Sequence, residues 1–192
     1  MEEKDEPLYL TNRSEWRNWL LKNHLEAQSV WIVYYKKSSA KSSISYDEAV
    51  EEALCFGWID SKAKPIDEEK YMQFFSKRKP KSVWSKLNKE RIEKLEKQNL
   101  IMPAGWKMIG IAKENGNWNI LDGAEAWIVP DDLEAEFSKA PEAKEYFINL
   151  SKSDKRNILQ WLVLARRPET RQNRIKEIVE LAAKKLKPKQ FR

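Results

Sequence analysis

Between positions 58 and 91 the chain gathers the residue types from which small-molecule sites are built: Trp58, Asp60, Gln73, Arg78, Trp84, Ser85, Asn88 and Arg91. Asp60 stands two residues after Trp58, so a strand there puts both side chains on one face. Trp84, Asn88 and Arg91 recur at helical spacing and share a stripe. A sheet and a helix packed together would bring these residues to one cleft, with polar groups converging among aromatic walls. Asp60 could serve there as a general acid or base. The same residues also suit a structural lock, in which Asp60 pairs with Arg78 or Arg91 and both tryptophans are core.

Other chemistry is thinner. Arg167, Arg171 and Arg174 would share one side of a helix opening at Pro168, a weak anion-binding candidate that could equally pair with neighbouring acids. His24 is the single histidine, placed near a helix end where a cation interacts well with the terminal carbonyls. Cys55 is the single cysteine, in the apolar run Ala53-Leu54-Cys55-Phe56, and is expected in the core rather than as a thiolate. The sequence holds no phosphate loop, dinucleotide fingerprint or Cys-x-x-Cys. No cofactor or metal is expected, and no catalytic residue is assigned. Residues 77–91 (KRKPKSVWSKLNKER) are strongly basic, so nucleic-acid binding with Trp84 as a stacking surface is an alternative.

The elements that must position these side chains follow from pattern. Leu8 to Thr11 is a short strand candidate. Asn12 with Glu15, and Ser45 with Glu48, are helix-start signals. Ser29 to Lys36 (SVWIVYYK) is the clearest strand, and Gly57 is expected to end the second helix. Trp58 to Asp60 and Lys70 to Phe75 should be short strands. Helices are expected over Val83–Gln98, from Pro103 to Asn115-Gly116, a short one capped by Asp131 and Glu134, one from Pro141, one around Ile158–Ala165 and one from Pro168. The expected fold is α+β: a small, mainly antiparallel sheet packed by helices, followed by a helical C-terminal half. The expected division is 1–98 sheet-and-helix, 99–130 helical connector and 131–192 helical.

Composition sets the outer bounds. Apolar residues are 41% of the 192, with nine tryptophans and only five glycines, which suits a packed, helix-rich interior. The start MEEKDEP has no basic stretch leading into an apolar one, and no apolar run approaches the length of a membrane span, so the chain is expected in the cytoplasm.

Several segments resemble the bacteriocin-protection, YdeI/OmpD-associated family. They are YDEAVEEALCFGWIDS (46–61), DEEKYMQFFSKRKPKSVWSKLNKERIEKL (67–95), MPAGWKMIGIAKENGNW (102–118), VPDDL (129–133) and LARRPETRQNRI (164–175). The resemblance implies a bacterial role in tolerance of bacteriocins and antimicrobial peptides, and an association with an outer-membrane porin. It implies no reaction. The expectation is binding of a small anionic or aromatic ligand in an inter-domain cleft lined by the Trp58–Arg91 residues, with a protein partner as a further expectation.

Overall fold

Helix caps and strand alternation set the first elements. The computed structural model describes residues 6–192; the opening MEEKD, on which the export reading partly rests, lies outside them. After β1 (Leu8–Tyr9), Asn12 caps α1 (Arg13–Asn23), its side chain accepting from the Glu15 N–H at 3.0 Å. Glu15 reaches back to the Thr11 N–H at 2.7 Å. In β2 (Ser29–Tyr35), Val30, Ile32 and Tyr34 are buried while the residues between them are partly exposed. Ser45 and Glu48 form the expected reciprocal capping box on α2 (Tyr46–Cys55). Gly57 then turns the chain at a φ of +73°, a region that favours glycine.

β3 (Trp58–Pro65) and β4 (Lys70–Lys77) form a longer hairpin than the short strands expected. The reason lies in the turn. The Asp67 carboxylate accepts from the Glu69 and Lys70 N–H groups, 2.9 Å each, and this closed end lets pairing run out to Pro65 and Tyr71. The sheet order is β1-β2-β4-β3, antiparallel except for the β1–β2 pair. α3 (Lys86–Lys97) begins later than Val83, and α4 (Pro103–Glu114) begins at its proline as expected.

Two compact units result. One comprises the chain to Ser82 together with Leu87–Asn115; the other comprises Val83–Lys86 with Gly116–Arg192. α4 therefore falls in the first unit.

In the first unit, Trp16 and Leu20 of α1 are fully buried, and Trp16 packs edge-on to Phe75 of β4 at 5.6 Å. Ala49 through Cys55 of α2 are all buried. α4 approaches α2 closely: the Met102 N–H donates to the Cys55 carbonyl at 3.0 Å, and a Cβ on Gly105 would stand 2.3 Å from that oxygen. Only glycine fits there.

The second unit is all helix. It holds α5 (Asp122–Glu125), α6 (Asp131–Phe137), α7 (Pro141–Ile148), α8 (Lys152–Val163), α9 (Pro168–Ala183) and a short 3-10 turn at Lys189–Phe191. Its core is Leu133, Phe137, Phe147, Ile158, Leu159, Leu162 and Ile178, with smaller residues between. α5 falls in a stretch where the sequence signalled no helix. Asp131 does not cap α6; Pro130 occupies the cap position, and Asp131, Asp132 and Glu134 crowd the first turn, where negative charge suits the helix dipole.

An ion network crosses the first unit. Glu52, 1% exposed, accepts from Arg13 Nε at 2.5 Å and Arg17 Nη1 at 2.7 Å. Glu51 accepts from Arg13 Nη1 and Lys94 Nζ, both at 2.8 Å. Removing a buried carboxylate from such a set costs about 3 kcal/mol, because its cations lose their counter-charge. An exposed lysine contributes below about 1 kcal/mol. Glu52→Gln is expected to lower Tm by roughly 6–12 °C, and Lys94→Ala by under about 4 °C, measured by thermal unfolding.

Candidate functional site

Strand parity assembles a polar cluster on the inner face of the sheet. Tyr34 faces inward with Val30 and Ile32, and its ladder partner is Tyr71. Their rings stack at 5.3 Å with an interplanar angle of 14°. One step along β4, Gln73 is buried; on β3, Asp60 lies opposite Phe75. The β3–β4 register shifts between Asp60 and Ala63. Gln73 serves this irregularity, its Nε2 donating to the Ser61 carbonyl at 3.2 Å and to Asp60 Oδ2 at 3.4 Å.

Tyr46 completes the group from α2. As the first residue after the Ser45 cap, it leaves the helix next to the sheet, and its hydroxyl donates to Asp60 Oδ2 at 2.7 Å. Arg78 follows β4, held by its own N–H to the Gly57 carbonyl at 2.9 Å, and is buried. Burial pushes its guanidinium down to about 10, and the Asp60 charge works against that shift. Arg78 stays a cation at neutral pH.

The phenols stay protonated as well. Burial pushes Tyr34 far above the ordinary tyrosine range, with Tyr71, Tyr46 and Asp60 adding to the effect. Burial and then the bond to Asp60 raise Tyr46; burial raises Tyr71. Each hydroxyl is therefore a donor at neutral pH. That of Tyr46 is used on Asp60. That of Tyr34 is buried and has no hydrogen-bond partner among the described residues. The cluster thus offers an unspent buried donor, stacked rings, a carboxylate and a cation within one patch.

The residues named from sequence divide. Asp60 and Gln73 meet in this cluster, and buried Arg78 lies within electrostatic reach of Asp60. Trp58 is core, 1% exposed, packed edge-on to Trp19 at 5.8 Å. Trp84 and Ser85 belong to the second unit, where Trp84 is 1% exposed against Trp118 at 5.0 Å. No base can stack on a ring buried so fully, so Trp84 is not the stacking surface that the basic 77–91 stretch was expected to carry. Asn88 and Arg91 stand on α3, and Arg91 bonds Asp47 at 2.5 Å and Asn88 at 3.1 Å. The ion pair foreseen for Arg91 is made to Asp47, not to Asp60. Tyr34, Tyr46 and Tyr71, which the cluster also contains, were not named from sequence, although the alternation of a strand over SVWIVYYK could have placed Tyr34 on the covered face.

The single cysteine is buried, and burial pushes its thiol up to about 11, far from a nucleophilic thiolate. His24 caps α1 with Nδ1 2.8 Å from the Leu20 carbonyl, its ring edge-on to Phe56. No group of His, Cys, Asp and Glu among the described residues could hold a metal ion. No helix among them is long and apolar enough to cross a membrane.

In the second unit a cavity of about 850 Å³ lies beside α6 and α9, lined by Asp132, Glu136, Arg171, Ile175, Lys176 and Val179 among others. Arg171 is engaged there by Asp132, at 2.5 and 2.9 Å. An anion would have to displace that carboxylate. Arg174 caps the Trp161 carbonyl and lies over its ring at 4.7 Å, and Arg167 is the N-cap of α9.

Residues 8–108, most of the first unit, match the model of a Domain of unknown function (DUF8412). The chain belongs to that family. Residues 126–185, within the second unit, match the model described as Bacteriocin-protection, YdeI or OmpD-Associated, the family that the sequence resembles. VPDDL and LARRPETRQNRI lie inside the latter match. The segments 46–61 and 67–95 lie inside the DUF8412 match, so the polar cluster is a feature of that domain and not of the bacteriocin-protection one. No curated protein and no solved structure matches the chain.

A buried hydroxyl without a partner costs about 1–3 kcal/mol. Tyr34→Phe is therefore expected to be as stable as the parent or more so in urea unfolding. Tyr46→Phe, which gives up a bond to a carboxylate, should lose about 1 kcal/mol.

Proposed function

We propose that this is a protein of bacteriocin and antimicrobial-peptide tolerance that binds a small ligand at the Tyr34–Tyr46–Asp60–Gln73–Tyr71–Arg78 cluster, without catalysing a reaction. The observation that carries the binding site is the buried Tyr34 hydroxyl, a protonated donor that its own chain leaves unused. Folding selects against such a group unless something outside the chain uses it. The tolerance role rests on the match of residues 126–185 to the bacteriocin-protection family.

The cluster favours an aromatic ligand with a polar edge. Tyr34 and Tyr71 are flat neighbours, the Tyr34 hydroxyl donates, and the Asp60 carboxylate accepts. Tyr46, 41% exposed, is the member that a ligand meets first. Catalysis is the weaker reading: Asp60 is bonded to Tyr46 and Gln73 and has no second acid, nucleophile or metal ligand beside it in the cluster.

A thermal-shift panel of aromatic acids, nucleotides, sugars and anionic metabolites tests the site. A ligand at 100 times its Kd adds about 2.7 kcal/mol, roughly a 5–10 °C rise for a chain of this size. The expected result is a selective rise with the aromatic acids that disappears in both Tyr34→Phe and Asp60→Asn, while Tyr34→Phe alone melts no lower than the parent. A panel that shifts nothing, or a rise that survives both substitutions, removes the site.

A further inference from the structure

The sheet has a second face, of opposite parity and different chemistry. Trp31, Val33 and Tyr35 of β2 alternate with the buried residues and are partly exposed, as are Met72 and Phe74 of β4. Tyr9, paired in register with Val33, extends this row onto β1 and is 48% exposed. Trp31 and Phe74 are direct ladder partners with ring centres 4.9 Å apart, and Tyr9 meets Tyr35 edge-on at 5.4 Å.

Lysines stand on these rings. Lys62 Nζ lies 5.7 Å from the Trp31 ring centre and 5.4 Å from that of Phe74. Lys41 Nζ lies 5.5 Å from the Tyr35 ring. Lys64, in register with Met72, is exposed on the same face, and Lys36 and Lys37 are exposed just beyond the end of β2. At the β3–β4 turn Asp67 is engaged by Lys70 and two backbone N–H groups, and exposed Glu6 precedes β1. The face is therefore aromatic in the middle and cationic over and around it.

We propose that this outer face binds single-stranded nucleic acid, with bases stacking on the Trp31–Phe74 and Tyr9–Tyr35 rings and phosphates taken by Lys41, Lys62 and Lys64. Exposed rings interleaved with cations match a polyanion whose every unit carries a flat π-face. A lysine resting on a ring is already placed for a phosphate once a base takes the ring. Trp31 and Tyr35 are four residues apart, about 13 Å along a strand, so the rings are spread along the face rather than gathered at one point. An apolar partner would not call for the lysines. A duplex would keep its bases from the rings. This surface is separate from the basic 77–91 stretch and does not depend on the ligand cluster of the inner face.

Fluorescence anisotropy with labelled twelve-nucleotide oligo(U) and oligo(dT), and a duplex of the same length, tests the proposal across a salt series. Both single strands should bind, more tightly than the duplex, and their relative affinity tells RNA from DNA. Trp31→Leu and Phe74→Leu keep apolar volume but remove the ring, and each should weaken binding about tenfold. Lys62→Ala and Lys64→Ala leave the core untouched. Each should weaken both oligonucleotides alike and flatten the salt dependence by roughly one phosphate contact. Absence of single-strand binding at low salt overturns the proposal, as does binding indifferent to both lysine substitutions. Equal affinity for the duplex overturns the stacking. Salt-insensitive self-association that Trp31→Leu abolishes would give the face to a second copy of the chain instead.

Discussion

Two adjacent carboxylates on a buried helix constrain the whole first unit. Glu51 and Glu52 lie in the run Ala49–Cys55, every residue of which is buried. A helix sunk this deeply cannot turn its acids to water, so cations must come to them. Arg13 and Arg17, four apart on α1, present their guanidiniums to Glu52 from one face, and Lys94 reaches Glu51 from α3. Arg17 also donates to the Leu100 carbonyl at 3.1 Å, tying in the chain that leads to α4. One pair of acids thereby orients α1, α3 and the start of α4 about α2. Such pairs add little net stability over an apolar core. What they add is a single arrangement, because any other leaves a charge buried alone.

That orientation has consequences at both ends of α2. At its C-terminal end the Cys55 carbonyl accepts from Met102 and abuts Gly105, setting a close approach of α4 to α2. At its N-terminal end Tyr46 is delivered to Asp60 on the sheet. The polar cluster thus depends on a network that touches none of its members. The Tyr34 hydroxyl is left without a hydrogen-bond partner at the sheet end of this arrangement.

The two faces of the sheet show how much a period of two decides. Tyr34 and Tyr35 are neighbours in sequence with the same side chain. One is buried against Tyr71 beneath the helices, while the other lies on the open face with Lys41 over its ring. Lys62, which follows Asp60 and Ser61 into the register shift of β3, reaches the outer rings. A regular ladder would have placed it inward, with Asp60. The irregularity therefore serves both faces: Gln73 closes it on the inside and Lys62 leaves it on the outside.

Local chemistry was legible in the sequence. Caps at Asn12 and Ser45, the strand at Ser29–Tyr35, the glycine after α2 and the proline-led helices at Pro103, Pro141 and Pro168 all rest on contacts within a few residues, so sequence spacing determines them. The neighbourhood of Asp60 and Gln73 follows from strand alternation across the β3–β4 hairpin. The tertiary structure alone decided what depended on distant partners. It gave Arg91 to Asp47, buried Trp84 against Trp118 in the second unit and carried α2's first residue to Asp60. Spacing shows which side chains share a face, but not which face is covered. That is set by packing between segments far apart in the chain, where burial free energy outweighs local preference.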